Sequence, residues 1–101
     1  MTKEHTIIYL DPAQQDLLDI FDYIKGDSPL SAERFIEKID KTIAKLSSFP
    51  DLGSFPKDLR LKHLGYRVLV IDDFLVFYAL KNEKIEIRRI LHGKRRYTEL
   101  F

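Results

Sequence analysis

The residues of this chain best suited to chemistry are cationic side chains, which fall into two clusters. Arginine offers phosphate a planar pair of donors and keeps its charge, so such clusters favour contact with a phosphate backbone or another polyanion. The clusters consist of Arg60, Lys62, His63 and Arg67 in the middle of the sequence, and of Arg88, Arg89, His92, Lys94, Arg95 and Arg96 near its end.

No carboxylates are evidently paired for acid–base work, so phosphoryl transfer here would depend on charge stabilisation. An RNA 2′-hydroxyl would be held in line with its own phosphate, with His92 as the candidate proton shuttle. Structural roles for the same residues stay open. Arg67 can pair with Glu86 or Asp73 across a sheet, and His92 can be a hydrogen-bonded residue at a strand end. The run at 94–96 can be a solvated tail.

The charge of the chain is distributed unevenly. Residues 1–51 hold 6 Lys or Arg against 10 Asp or Glu, whereas residues 52–101 hold 11 against 6, although the whole chain has a formal net charge of only +1. A basic C-terminal half indicates a polyanionic partner there, and solubility is the alternative explanation.

The composition predicts one folded domain over residues 1–101. With 45% hydrophobic residues, 33% charged residues, 4 Gly and 4 Pro in 101 residues, the chain can bury a core. The lack of cysteine excludes disulfides, zinc thiolate sites and cysteine nucleophiles, and it fits a reducing compartment. Residues 1–5 carry charge and begin no long apolar run. We therefore expect a soluble cytoplasmic protein with no metal, no other cofactor and no membrane association.

The first half of the sequence predicts a strand followed by an α-helix. Thr6 to Leu10 is rich in β-branched and aromatic residues, as strands are. Asp11 then serves as the expected N-cap, Pro12 as the first helical residue and Gln14 as the capping-box partner, and Gly26 ends the helix. The side chains expected on the solvent side of this helix are Asp16, Asp19 and Asp22.

A second helix with the same start signal completes an α-hairpin. Ser28 and Pro29 begin it, and an apolar stripe continues to Leu46. The short joint over residues 26–28 makes the two helices antiparallel neighbours. Residues 49–64, with two prolines and a glycine, show no clear period and predict a loop.

The second half predicts three antiparallel strands, and the break in alternation at Arg89-Ile90 favours a β-bulge. The expected α+β fold has the order β-α-α-β-β-β, with the α-hairpin on one face of a small antiparallel sheet and the other face open. Arg67 and residues 92–96 would border that open face as one concave basic patch. The three strands are Tyr66–Ile71, Phe74–Leu80 and Ile85–His92.

An ordered set of short motifs spans nearly the whole chain. The motifs are Asp11-Pro12-Ala13, Ser28-Pro29-Leu30-Ser31-Ala32, Phe49-Pro50-Asp51-Leu52-Gly53, Leu64-Gly65-Tyr66-Arg67, residues 74–78 and residues 87–95. The set resembles the RelE/ParE toxins, which implies a growth-inhibiting toxin that a partner antitoxin neutralises in a hetero-oligomeric complex. RelE-like members cut mRNA in the ribosomal A site without a metal, whereas ParE-like members inhibit DNA gyrase.

The two branches assign different roles to the cationic residues. For the nuclease branch, Arg67 and Arg95 match family arginines, and Lys62 and Arg60 match basic residues of the preceding segment, with a spacing to Arg67 shorter than the RelE pattern. Phe101 falls where that pattern has a tyrosine and lacks its hydroxyl.

Other residues of the set favour the ParE branch. His92 with Gly93 is similar to the His-Gly of many ParE-like sequences, although Tyr97 can supply the hydroxyl of the RelE pattern from a different position. Three hypotheses follow: gyrase inhibition, which the sequence slightly favours, cleavage of ribosome-bound mRNA, and an inactive relative that only binds an antitoxin. The catalytic candidates are Arg67, Arg95, His92 and Lys62, and the target-binding candidates are Arg60, Arg88, Lys94, Arg96, Tyr97 and Phe101.

The same reasoning predicts the character of the antitoxin. The apolar stripes of the α-hairpin and the basic sheet face offer grooves for a segment that orders on binding. We expect an acidic, partly disordered antitoxin with acidic residues that contact Arg67 and Arg95.

Overall fold

A computed structural model of the chain describes residues 4–95 and 97–101. Arg96, a target-binding candidate, lies outside the described residues. None of the helices in these two ranges is both long enough and apolar enough to cross a membrane. The elements are β1 (Thr6–Tyr9), α1 (Asp11–Lys25), α2 (Pro29–Ala44), α3 (Leu59–His63), β2 (Tyr66–Ile71), β3 (Phe74–Lys81) and β4 (Lys84–His92), with 3₁₀ turns at Lys45–Ser47 and Tyr97–Leu100.

The α-hairpin forms as the sequence predicts, apart from the start of its first helix. Ser28 caps α2 because its side chain accepts a hydrogen bond from the N–H of Ser31 at 3.2 Å. The prediction that Asp11 caps α1 is wrong: the N-cap is Leu10, whose N–H donates to Ile87 O at 3.0 Å. This bond to β4 holds Leu10 in an extended conformation just after β1, so Asp11 becomes the first helical residue.

The strands form a four-stranded sheet in the order β1-β4-β3-β2. The antiparallel meander of β2, β3 and β4 is confirmed, but β1 pairs parallel with β4, so the sheet is mixed rather than antiparallel. Parallel neighbours need a long connection between them. The α-hairpin and the meander together provide it, and they bring β4 back beside β1 in the same direction.

The expected bulge lies in β4. Phe77 of β3 is paired with Arg89 and Tyr78 with Ile87, so Arg88 is an extra residue on β4. After this insertion the alternation of faces resumes with Ile90, which packs in the core beneath the helices.

The sequence predicted a loop over residues 49–64, but part of this segment is regular. Asp58 Oδ1 accepts hydrogen bonds from the N–H groups of Arg60 and Leu61, which starts the short helix α3. Ser54 exchanges two backbone hydrogen bonds of 2.8 Å with Val68, so this segment also lines the outer edge of β2.

Both faces of the sheet carry packed apolar residues. The main core lies between the α-hairpin and one face, with Ile39, Tyr78 and Ile87 among its buried members. A second cluster around Phe77 and Leu91 occupies the opposite face. The prediction of an open face is therefore wrong in part, because α3 and the C-terminal segment cover the middle of that face.

Candidate functional site

A groove of about 420 Å³ lies between α1 and the end of β4. We call it the α1–β4 groove. Its outer wall carries Tyr23, which is 83% exposed, together with Asp19, and its floor is formed by Ile20, Phe74 and Ile90. His92 and Arg95 stand at its rim. The groove thus combines an apolar floor with charged groups of both signs.

His92 is held by the turn that follows β4. Its ring meets the ring of Phe74 edge-on at 5.3 Å between centroids, and its Nδ1 lies 3.2 Å from the N–H of Lys94, where it accepts a hydrogen bond. Gly93 N–H donates to Asp73 O at 2.8 Å, and a Cβ at Gly93 would lie 3.3 Å from that same oxygen. The turn between β2 and β3 and the turn after β4 therefore approach each other closely, and this contact fixes the backbone next to His92.

The exposed cations beside His92 belong to the same turn. The N–H of Arg95 donates to His92 O at 3.0 Å, and the side chains of Lys94 and Arg95 are exposed. These contacts fix the backbone of Arg95 while its guanidinium remains accessible. Arg95 and His92 can therefore engage a partner from the rim of the groove.

Arg67 is less accessible than Arg95, because its guanidinium contacts the loop before β2. Its Nη1 donates to Gly53 O at 2.9 Å, its Nη2 lies 3.7 Å from a carboxylate oxygen of Asp51, and its Cζ lies 4.3 Å from the centroid of the Phe55 ring. The suggested partners Glu86 and Asp73 are therefore replaced by residues 51–55. These contacts occupy Arg67 in the folded protein.

Tyr78 fastens the same loop from within the sheet. Its hydroxyl donates to Pro50 O at 2.7 Å and accepts from Gly53 N–H at 2.9 Å. A Cβ at Gly53 would lie 2.7 Å from Val68 O and 2.8 Å from the Tyr78 ring, so only glycine fits. Burial raises the pKa of Tyr78, although the hydrogen bond from Gly53 and the charge of Arg67 act in the opposite direction.

Replacing Tyr78 by Phe is expected to lower the free energy of unfolding by about 1–3 kcal/mol, because the buried Pro50 carbonyl and Gly53 N–H lose their partner. Urea unfolding of the full chain measures the loss. Tyr23→Phe, at an exposed tyrosine of α1, is the matched control and should change stability by less than about 0.5 kcal/mol.

The stabilities of the wild type and of Tyr78→Phe should respond differently to alkaline pH. A folded-state pKa above the ordinary value of 10.0 means that the contribution of Tyr78 is complete below pH 10 and is lost as the pH rises further. The stability difference between the wild type and Tyr78→Phe should therefore shrink above pH 10. Equal stability of the two proteins at pH 7 would show that the hydroxyl does not hold the loop.

The remaining cations of the first cluster lie on α3. Lys62 is exposed, with its Nζ 5.0 Å from the centroid of the Phe55 ring, and Arg60, two residues earlier on α3, is also exposed. Phe55 therefore lies under two cations, Lys62 and Arg67. This end of the sheet is a cation–aromatic surface.

Arg88 and the C-terminal aromatic residues lie on the second face. The Nη2 of Arg88 is 2.6 Å from a Glu86 carboxylate oxygen, and its guanidinium lies 5.5 Å from the Tyr66 ring centroid. Tyr97 and Phe101 each lie 5.0 Å from Phe77 between ring centroids. Both aromatic residues are half-buried, and they anchor the C-terminal segment on the sheet.

The structure does not unite the cationic candidates into the single concave patch that the sequence had suggested. In the strand register, Arg67 of β2 lies opposite Tyr78 of β3, and His92 of β4 lies opposite Phe74 of β3. Tyr78 and Phe74 are four residues apart on β3. That separation is about 13 Å along the strand. The reason is the antiparallel register, which places the start of β2 and the end of β4 at opposite ends of the sheet.

A buried ion pair that the sequence reasoning missed joins α1 to β4. Asp16, expected in solvent, is only 6% exposed. Its two carboxylate oxygens accept from Nε and Nη2 of Arg89 at 2.8 and 2.9 Å, and one also accepts from Ile90 N–H at 2.9 Å. A signal was available, because Asp16 shares the helical face of Ala13 and Ile20.

The four catalytic candidates do not lie together in one site. Over residues 4–95 and 97–101, no group of three histidine or acidic side chains is placed to hold a metal ion. His92 and Arg95 share one end of the sheet, but the nuclease hypothesis also needs Arg67, which lies at the other end.

Comparison with known sequences supports one family. The family model described as ParE toxin of type II toxin-antitoxin system, parDE, matches residues 7–97. Toxin ParE3 of Caulobacter vibrioides (strain ATCC 19089 / CIP 103742 / CB 15) is 32% identical over 89 residues, which cover 87% of this chain and 86% of that protein.

Solved structures share the fold. The chromosomal ParDE toxin–antitoxin system from P. aeruginosa matches with a TM-score of 0.76 and 22% identity, covering 91% of this chain and 99% of that chain. The toxin–antitoxin complex RelBE2 from Mycobacterium tuberculosis matches with a TM-score of 0.58 and 17% identity, covering 88% and 98%. The α+β arrangement of helices on a small mixed sheet is therefore common to these proteins.

Proposed function

This chain belongs to the family of ParE toxins of type II toxin–antitoxin systems, and on that basis we propose that it inhibits DNA gyrase. The contact surface would be the α1–β4 groove with its rim of His92 and Arg95. The proposal places the activity in the cytoplasm, where DNA gyrase works. An antitoxin is its natural partner within such a system.

The observation that carries the proposal is the separation of the cationic candidates. Metal-free cleavage of RNA would require several cations around one phosphate. Arg67 is about 13 Å along the strand from the position of His92 and is already bound to Gly53 and Asp51. Phe101, at the position of the RelE tyrosine, packs against Phe77 and has no hydroxyl. These features favour a binding toxin over a nuclease.

The neutralising antitoxin would act at the same groove. Ile20, Phe74 and Ile90 give the groove an apolar floor, and Arg95 gives it a cationic rim. An antitoxin segment that alternates apolar and acidic residues would satisfy both features and would block the gyrase contact. Arg67 is a weaker contact for an acidic residue than the sequence suggested, because its guanidinium is engaged within the chain.

A paired experiment tests gyrase inhibition against RNA cleavage. The purified chain is expected to block supercoiling by DNA gyrase, while primer extension after induction in a bacterial host shows no new cuts in translated messages. Arg67→Ala should keep gyrase inhibition, because Arg67 lies away from the groove and supports the loop at residues 51–55.

The other results are equally informative. In-frame cuts that disappear in Arg67→Ala would establish a ribosome-dependent nuclease and overturn the proposal. Normal growth, uncut messages and normal supercoiling would instead identify an inactive relative that only binds an antitoxin. Arg67→Ala should be checked by circular dichroism, so that a loss of fold is not mistaken for a loss of activity.

A further inference from the structure

The charges on the outer side of α2 are sorted by sign. At 3.6 residues per turn, four cations fall within an arc of about 60°, and three carboxylates fall within a neighbouring arc of similar width. A solvated face more commonly intersperses the two signs along the helix. The cations, which we call the α2 ridge, are Arg34, Lys38, Lys41 and Lys45, and the carboxylates are Glu33, Glu37 and Asp40.

The α2 ridge is open and nearly straight. Its four cations are all exposed, and the first and last of them are eleven positions apart, which is about 16 Å along the helix axis. A shallow depression of about 510 Å³ runs among these side chains. Its lining consists of the four cations with Glu37 and Thr42. The depression therefore offers positive charge, and its lining includes no apolar or aromatic residue.

Two of the ridge cations have partners that a polyanion can replace. Lys38 Nζ lies 2.8 Å from Asp72, and Lys41 Nζ lies 2.7 Å from Glu37. All four side chains of these pairs are at least half exposed, so the pairs contribute little to stability. Lys45 directly follows the last turn of α2, so its charge adds to the ridge at the end where the helix dipole favours a cation.

We propose that the α2 ridge binds the phosphate backbone of duplex DNA without recognising its sequence. A regular row of flexible cations suits a regular row of phosphates, and phosphate contacts alone supply sequence-independent binding. The depression has no aromatic side chain on which the bases of a single strand could stack. It also has no apolar anchor for a protein partner. Binding of duplex DNA at the α2 ridge would be independent of DNA gyrase and is measured in its absence.

The experiment measures the affinity of the full chain for a fluorescent 20-base-pair duplex by anisotropy between 50 and 200 mM KCl. Four phosphate contacts predict a slope of about −3.6 for log K against log [salt], which is about a 100-fold loss of affinity over this range. In the double variant Lys41→Gln/Lys45→Gln, the slope should shrink by about two units, with the fold unchanged by circular dichroism.

Two further variants with the same change in net charge identify the surface. Lys25→Gln/Lys84→Gln removes exposed lysines from the end of α1 and the start of β4, and it should leave the slope unchanged. Lys94→Gln/Arg95→Gln tests the C-terminal turn. A slope that responds only to the C-terminal variant would overturn the proposal, as would equal losses in all three variants or no binding at 50 mM KCl. Tighter binding of a single-stranded RNA of the same length would overturn duplex DNA as the ligand.

Discussion

Replacing Asp16 by Ala is expected to lower the free energy of unfolding by about 3 kcal/mol, because it removes one partner of a buried ion pair. The substitution removes two hydrogen bonds to the Arg89 guanidinium and one to the Ile90 N–H. Arg89 is only 19% exposed, so its charge would be left largely buried without a counter-charge. The hydrogen bonds that Arg89 donates to Asp16 raise the pKa of Arg89, so Arg89 stays charged.

Thermal and urea unfolding measure this loss, and 3 kcal/mol corresponds to a fall in melting temperature of roughly 15 °C for a chain of this size. Asp19→Ala is the matched control, because Asp19 is exposed one turn later and accepts a hydrogen bond from the Gln15 side chain on the helix surface. It should cost less than about 0.5 kcal/mol. A loss below 1 kcal/mol in Asp16→Ala would show that the ion pair does not hold α1 on β4.

A second control separates the loss of the pair from the exposure of a charge. In Asp16→Leu/Arg89→Met, both charged groups are replaced by apolar side chains of suitable size. Removing both partners should restore part of the stability that Asp16→Ala loses, because no buried charge remains unpaired. The Ile90 N–H would still lack its acceptor, so we expect the recovery to be incomplete.

Replacing Arg95 by Ala is expected to weaken inhibition of DNA gyrase by about 30-fold, which corresponds to about 2 kcal/mol of binding free energy. Arg95 is exposed at the rim of the α1–β4 groove, and arginine is enriched among the residues that dominate binding. The measurement is the toxin concentration that halves supercoiling in vitro. Unfolding by urea should be unchanged, because the Arg95 side chain is exposed.

Lys84→Ala is the matched control for Arg95→Ala. Lys84 is an exposed cation at the start of β4, at the other end of the strand from the groove. It should inhibit gyrase as the wild type does. If Arg95→Ala also retained full inhibition, the groove rim would not be the gyrase contact, and if both variants lost activity equally, net charge and not the groove would be responsible. His92→Ala extends the test to the neighbouring rim residue.

Much of the fold could be predicted because it depends on local rules. Ser28 and Pro29 start α2, and alternating apolar residues give the three strands of the meander with bounds close to those observed. The bulge in β4 could be predicted because Arg89-Ile90 breaks that alternation, and the structure places the extra residue next to this break, at Arg88. The α3 helix was missed because its five residues are too few to show a period, although Asp58 supplies a capping signal.

The site was less accessible to sequence reasoning than the fold. The sequence identifies the cations and places them in two clusters, and it indicates Arg95 and His92 as neighbours because only two residues separate them. It cannot say that Arg67 is bound to Gly53 and Asp51, since those contacts depend on how residues 49–56 fold back over β2. It also assigned Asp16 to solvent from its polarity alone, whereas its partner Arg89 is 73 residues away.

The sequence by itself determined the class of the fold, the family and the two groups of cations. Helix caps, apolar periodicity and short motifs each depend on residues that are close together in the sequence. Only the tertiary structure decided that β1 lies parallel to β4, that α3 and the C-terminal aromatic residues cover part of the second sheet face, and that Arg67 and Arg95 stand apart. Each of these outcomes depends on strand register and on contacts between distant residues, which are set when the whole chain packs and not by local preference.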